Sequence, residues 1–201
     1  MATGVLAVQG AFVEHEHVLE RLGESCIELR CAEDLEQPFD RLVLPGGEST
    51  AQGRLLVRLG MLEPLRERVQ GGMPVLATCA GLILLARSIV GEGGPGEPLV
   101  PRIGTLEVLV RRNSYGRQLG SFFTTAELEG LGEVPMTFIR APHVAEVGLG
   151  VEVLARVGGR IVAVRQGSQL AVAFHPELSG DTRVHELFLS MEGAGQRWSC
   201  S

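Results

Sequence analysis

Three short segments carry residue types whose spacing could do chemistry. In Ala77-Thr78-Cys79-Ala80-Gly81 a thiol stands among small residues, between an apolar run (PVLA, 74–77) and a second one (AGLILLA, 80–86). A strand entering a helix there would turn sharply and expose the thiol at the carboxyl end of a sheet, where open α/β sheets bind ligands. The helix N-terminus beneath would supply partial positive charge, which favours thiolate. A lone cysteine is by default a buried, inert thiol; the strand–Cys–small–Gly–helix setting argues against that default. The second segment, Phe174-His175-Pro176-Glu177, follows the apolar run LAVAF. In extended chain, positions i and i+2 point the same way, so the Glu177 carboxylate can reach the His175 imidazole. A carboxylate on one ring nitrogen leaves the other free to take a thiol proton. The third segment, Leu44-Pro45-Gly46-Gly47-Glu48-Ser49-Thr50, is again strand, glycine turn and helix. Glycine lets backbone N–H groups approach a ligand closely. The N–H groups of Gly47 and Ala80 are therefore candidates to hold an oxyanion formed by thiol attack on a carbonyl. A phosphate loop of the GxxxxGK[ST] type is disfavoured because the lysine is missing.

Other polar residues are less distinctive. Arg112, in a polar run from Arg111 to Gln118, and Arg140, in Phe138-Ile139-Arg140-Ala141-Pro142-His143, each follow apolar stretches. Either could grip an amino-acid carboxylate bidentately, but taken singly each reads first as a solvated surface arginine. His15, His17, His143 and His185 fall in helical or loop contexts without the strand-end arrangement of His175.

The elements that must position these groups follow from the pattern. Apolar runs at Gly4–Val8, Cys26–Arg30, Arg41–Leu44 and Pro74–Ala77 read as strands, with helices at Glu14–Leu22, after Ser49 or Thr50 as a cap, at Met61–Val69 and at Ala80–Ala86. Strands alternating with helices indicate an α/β fold with a mostly parallel sheet covered by helices on both faces. Gly91–Pro98 is a Gly/Pro loop. From Gly104 the texture becomes alternating (104–110, 151–157, 160–165, 169–174), with Gly158-Gly159 a hairpin signal, so an antiparallel portion is expected in the C-terminal half. A closing helix is expected over Asp181–Met191, with Asp181 as its cap. No repeat or linker interrupts the pattern, and 201 residues suit one domain spanning 1–201.

Composition excludes whole classes. The formal charge of −6 argues against a nucleic-acid binder. The longest apolar stretch, 75–86, is too short for a membrane span of about 20 residues. All 18 basic residues are arginines, so this chain cannot form a lysine Schiff base; any imine chemistry it serves must occur on another chain. Cys26, Cys31, Cys79 and Cys200 show no metal-ligand spacing, and no metal or other cofactor is expected. The first ten residues lack a secretory pattern, and a cytoplasmic location with reduced thiols is expected.

Taken together, LPGGEST, TCAGLILLA and FHPEL resemble, in order and spacing, the class I (triad, flavodoxin-like) glutamine amidotransferases. VLAVQGAFVEH, RRNSYGRQ and FIRAPH narrow the resemblance to the glutaminase subunits of pyridoxal 5′-phosphate synthases, over about residues 4–191. The resemblance implies that Cys79 is a nucleophile, His175 its acid/base and Glu177 the orienter of His175. It implies that Gly47, Glu48, Ser49, Arg112, Ile139 and Arg140 contact glutamine, Ile139 through its backbone. It implies that Gln9 and Gly10 meet a synthase partner that carries the imine-forming lysine. The sequence departs from the family pattern at Val13, Arg111 and Tyr115. Three rival readings use the same residues: a stand-alone γ-glutamyl hydrolase, a non-cleaving glutamine-binding protein, and a glutaminase that feeds a different synthase.

Overall fold

The structure is a computed structural model that describes residues 2–92, 94, 99–112 and 121–193. Most of the Gly91–Pro98 loop and the Asn113–Gln118 part of the polar run lie outside those residues.

The chain opens as alternating strands and helices: β1 (Ala2–Leu6), α1 (Phe12–Arg21), β2 (Ser25–Leu29), β3 (Arg41–Leu44), α2 (Ser49–Arg58), α3 (Leu62–Gln70), β4 (Val75–Thr78) and α4 (Ala80–Leu85). A run of strands follows: β5 (Ala86–Ile89), β6 (Leu106–Arg111), β7 (Ser121–Leu128), β8 (Gly132–Ile139), β9 (His143–Val147), β10 (Glu152–Val157), β11 (Arg160–Gln166) and β12 (Gln169–Val172). A short 3-10 turn over Pro176–Leu178 and α5 (Arg183–Ser190) close the fold.

The main sheet runs in the order β2-β1-β3-β4-β12-β11-β9-β6-β5, with β10 paired to β11. From β2 to β12 every pairing is parallel. Beyond β12 the pairings with β11, β9 and β6 are antiparallel, and β5 is again parallel to β6. This is the mixed α/β architecture read from the sequence. The sequence pattern did not announce β5, the β7–β8 hairpin or β9. The residues of β4 are all buried and β3 is nearly so, which explains their continuous apolar runs: strands covered on both faces have no polar side to alternate with. In the exposed ribbon of β7, the one-face alternation Phe122/Thr124/Ala126 is masked by polar and apolar residues of similar hydropathy, and Pro135 interrupts its partner β8.

Two helix starts differ from expectation. Neither Ser49 nor Thr50 caps α2. Glu48 does, its carboxylate accepting from Thr50 N (3.0 Å) and Ala51 N (2.7 Å); two acceptor oxygens satisfy two orphan donors where a hydroxyl would satisfy one. The closing helix starts at Arg183 and not at Asp181, yet the Asp181 carboxylate accepts from Arg183 N at 3.0 Å and so serves the helix start from one residue further out.

Candidate active site

The four neighbouring parallel strands β1, β3, β4 and β12 share one carboxyl edge. The segments that leave them are Gln9–Gly10, Pro45–Glu48, Cys79 and His175. One rule of open parallel sheets therefore gathers residues that lie far apart in sequence, from Gln9 to His175.

Cys79 stands at the end of β4 and heads α4, with φ 49 and ψ −98. Its backbone N–H donates to Val172 O at 2.9 Å, which anchors the turn to β12. Among the described residues only Cys79 and Arg140 (φ 44) are non-glycine residues at positive φ. Both line one cavity, and backbone strain costing about 1–3 kcal/mol per residue collects at functional sites. Gly81 lets α4 press onto β3: a Cβ there would lie 2.0 Å from Leu44 O.

His175 and Glu177 meet as expected, but by a different local structure. Pro176–Leu178 form a 3-10 turn with proline at its first position, so the pair is not two neighbours on one side of an extended segment. Proline's fixed φ suits a helical first position. The imidazole Nδ1 lies 2.7 Å from Glu177 Oε1, both side chains being buried. The backbone N–H of His175 donates to Thr137 O of β8 at 2.8 Å. Gly46 makes room for the ring: a Cβ there would come within 2.3 Å of His175 Cε1.

The electrostatics favour a charged ring. Burial works against the imidazolium, but hydrogen bonding to Cys79 and to Glu177, together with their negative charge, prevails and pushes His175 up to about 10. Burial also raises Glu177, yet His15 and the hydrogen bond from His175 outweigh it and hold the carboxyl below its ordinary range. The Cys79 sulfur lies 3.9 Å from the carbonyl of Ile139, at the end of β8.

The cavity has a volume of about 540 Å³, within the usual range for small-molecule sites. Its walls include Cys79, Ala80 and His175, the loop residues Gly47, Glu48 and Ser49, the segment Gln9–Gly10, and Arg112, Ile139 and Arg140. Every candidate named from the sequence thus borders this one cavity except Glu177, which stands behind His175. The N-terminal segment is stitched to the loop: Glu48 N donates to Gln9 Oε1 (2.9 Å), Ala11 N donates to Gly46 O (3.0 Å), and Gln52 Nε2 donates to Gln9 O (2.9 Å). Arg112 Nη1 donates to Thr50 Oγ1 at 3.2 Å. Because its carboxylate caps α2, Glu48 presents the cavity mainly with its backbone.

Three residues at or behind the site escaped sequence reading. Gln52, His15 and His185 owe their places to contacts between elements. Periodicity could have found only one signal, a histidine on the apolar side of α1 beside Val18 and Leu19.

A thiol, a carboxylate-bound imidazole and a glycine-rich loop at the carboxyl edge of a parallel sheet define a class: the scaffold is that of the class I glutamine amidotransferases. The match is specific. The SNO glutamine amidotransferase family model covers residues 5–193, and the chain belongs to that family. It is 53% identical over 201 residues to the pyridoxal 5′-phosphate synthase subunit PdxT of Desulfitobacterium hafniense (strain DSM 10664 / DCB-2), covering 100% of this chain and 98% of that protein. It is 49% identical over 194 residues to the PdxT of Streptococcus pneumoniae (strain ATCC 700669 / Spain 23F-1), covering 95% and 97%. A crystal structure of a glutamine amidotransferase superposes with a TM-score of 0.86 at 48% identity, covering 94% of this chain and 97% of that one. The structure of PurLQS from Thermotoga maritima shares the fold alone, with a TM-score of 0.66 at 16% identity over 94% and 96% of the two chains.

Proposed function

We propose that this chain is the glutaminase subunit of a pyridoxal 5′-phosphate synthase, hydrolysing L-glutamine to L-glutamate and ammonia for a partner subunit. The observation that carries this reading is the shared cavity of Cys79 and His175, with Glu177 bound to the far side of the ring, in a chain that matches its relatives end to end.

In this reading the Cys79 thiolate attacks the side-chain amide carbon of glutamine. The N–H groups of Gly47 and Ala80 receive the oxyanion, each donor contributing roughly 3 kcal/mol in sites of this kind. His175 protonates the departing ammonia and then takes a proton from the water that cleaves the γ-glutamyl thioester. Glu177 holds the ring by Nδ1, which leaves Nε2 for these transfers. Arg112, Arg140 and the carbonyl of Ile139 bind the amino-acid end of the substrate, with Gly47, Glu48 and Ser49 opposite. Gln9 and Gly10, bonded to the oxyanion loop, form the contact through which the partner acts on that loop. The partner carries the imine-forming lysine, since this chain has none. The whole of residues 1–201 acts as one glutaminase domain. No helix in the described residues is long and apolar enough to cross a membrane. The free thiols of Cys26, Cys31 and Cys79 fit a reducing compartment, and we assign the chain to the cytoplasm.

The test is ammonia release from glutamine by the purified chain, titrated with the synthase partner. Release should rise with the partner and vanish in Cys79→Ala, while Cys79→Ala still binds the partner. Full turnover without any synthase would favour a stand-alone γ-glutamyl hydrolase, and turnover retained in Cys79→Ala would end the reading.

A further inference from the structure

Behind the site lies a buried polar chain that the mechanism above does not use. Glu177 has two carboxylate oxygens. Oε1 is bound to His175; Oε2 is fully buried and has no aligned hydrogen bond among the described residues. The polar atom that faces it is Nε2 of His15, on α1, at 3.4 Å. That nitrogen also lies 3.1 Å from Oγ1 of Thr78, the residue before Cys79. The other ring nitrogen of His15 lies 2.9 Å from Nε2 of His185, on α5. His15, Thr78 and His185 are all fully buried. Two imidazoles and a threonine from three separate elements thus join behind the triad carboxylate, with His15 as the member that faces its second oxygen.

The protons in this chain are determined by elimination. Burial lowers His15 and pushes His185 down to about 3, so both rings are neutral near pH 7 and each carries one N–H. Only two arrangements put a single proton between His15 Nδ1 and His185 Nε2. If His15 donates, its Nε2 turns a lone pair toward the ionised carboxylate, and His185 Nδ1, which has no partner among the described residues, becomes a buried orphan donor. Unpaired buried donors are the rarer and costlier case. If His185 donates, both penalties disappear: His15 Nε2–H donates to Thr78 Oγ1 at 3.1 Å and turns a positive N–H edge rather than a lone pair toward Glu177 Oε2 at 3.4 Å, and His185 Nδ1 is left as a bare acceptor.

We propose that His15 is a positioning residue for the triad, its Nε2–H holding the second oxygen of Glu177, and that His185 fixes the His15 tautomer that makes this possible. The triad is thereby extended by two residues, Cys79–His175–Glu177–His15–His185, from the cavity into the buried interior. The proposal deepens the glutaminase reading and rests on it for its kinetic consequences, though not for its proton assignment. Among the described residues no group of three or more His, Cys, Asp or Glu is arranged to hold a metal ion, so the cluster is read through protons. The charged and titratable groups acting on it are Glu177, His175 and Glu14 on His15, and His15, Glu177 and Arg21 on His185.

Two measurements test the proposal. Nitrogen-15 NMR of histidine-labelled full-length chain reads each tautomer directly and needs no activity; the expected spectrum shows Nε2–H for both His15 and His185, and an Nδ1–H at His15 overturns the proposal. The second is glutamine turnover by the complex with the synthase partner. His15→Leu removes the donor. Its kcat should fall about 10-fold or more with KM for glutamine little changed, and the acid limb of its pH profile should move up, because a carboxylate without its donor protonates at higher pH. His15→Gln, whose amide nitrogen can stand in for Nε2, should restore most of kcat and the original limb. Equal damage in His15→Gln and His15→Leu with an unmoved acid limb would mean a packing role only and would overturn the proposal. A wild-type complex without turnover would instead defeat the glutaminase reading and leave the NMR assignment to be judged by itself.

Discussion

In the parallel half of the molecule, Gly10, Gly46, Gly53 and Gly81 lie where an added Cβ would come within 2.3 Å of another atom, in three cases a backbone carbonyl oxygen. In the antiparallel half, Gly130, Gly150, Gly158, Gly159 and Gly167 all have positive φ, and an added Cβ would meet nothing within 4 Å. Gly148, against the Glu107 carbonyl at 2.9 Å, is the tight exception there, and Gly23, at φ 80 with nothing within 4 Å, is an open one in the parallel half. The same residue type thus serves two ends. Around β1, β3 and β4 glycine permits backbone to approach backbone or ring, which is how Pro45–Glu48 is brought against His175 and α4 against β3. Around β7–β8 and β10–β11 it only lets the chain turn in open space. The site was built where packing leaves no slack, and its second wall, Ile139 and Arg140, was borrowed from the looser half. The two halves meet at β12, parallel to β4 on one side and antiparallel to β11 on the other, and His175 follows directly from this seam strand.

Substitutions should expose that contrast. The largest effect is expected from Gly81→Ala, which sets a methyl 2.0 Å from Leu44 O. Separating α4 from β3 should cost about 3 kcal/mol or more, lowering the thermal midpoint by roughly 6–12 °C; a midpoint within about 2 °C of wild type would break the comparison. Gly46→Ala comes next, and its effect should appear in turnover more than in stability. Displacing the imidazole by a fraction of its 2.3 Å encounter should reduce glutamine hydrolysis about 100-fold, measured as kcat in the complex.

The third prediction concerns pH. His175 is raised from its ordinary 6.5 to about 10, so the stability contributed by its charged form is complete below 6.5 and is lost as pH rises through about 10. The unfolding midpoint of the wild type should therefore fall toward that of His175→Gln across this interval. A constant difference from pH 6.5 to 10 would show that the ring gains no proton affinity from Cys79 and Glu177. The smallest effect is expected at the open turns. Gly130→Ala, at φ 82 with nothing nearby, should cost about 1 kcal/mol by denaturant titration. Gly130→Asn should cost less, since asparagine tolerates that backbone region, and neither should alter turnover.

Much of the site was legible in the chain because its chemistry sits in short segments with their own local signals. Cys79, His175 and the Gly46–Gly47 turn each end an apolar run, and a buried parallel strand cannot be mistaken for a half-solvated one when no polar residue interrupts it. The hairpin of β7 and β8 was missed for the opposite reason. Its residues alternate between burial states without alternating cleanly in polarity, as Phe123 shows by standing 64% exposed in the middle of a strand. The α2 cap was placed a residue or two late because the Glu48 carboxylate reaches two backbone donors that a Ser49 or Thr50 hydroxyl was expected to serve, whereas Asp181 does serve its helix, from one residue further out than a cap.

The sequence alone determined the strand–helix alternation, the thiol at a strand end, the His-Pro-Glu step and the want of any lysine, since each is a property of residue order or composition. The tertiary structure alone decided that Pro176 turns Glu177 back onto His175 through a 3-10 turn. It decided that Gly46 clears a space for the ring, and that His15 and His185, 170 positions apart, share a hydrogen bond behind the carboxylate. Those contacts join elements that are distant along the chain. No local pattern encodes them, because they exist only once the sheet has brought its strand ends to a common edge and burial has forced each polar atom to find a partner.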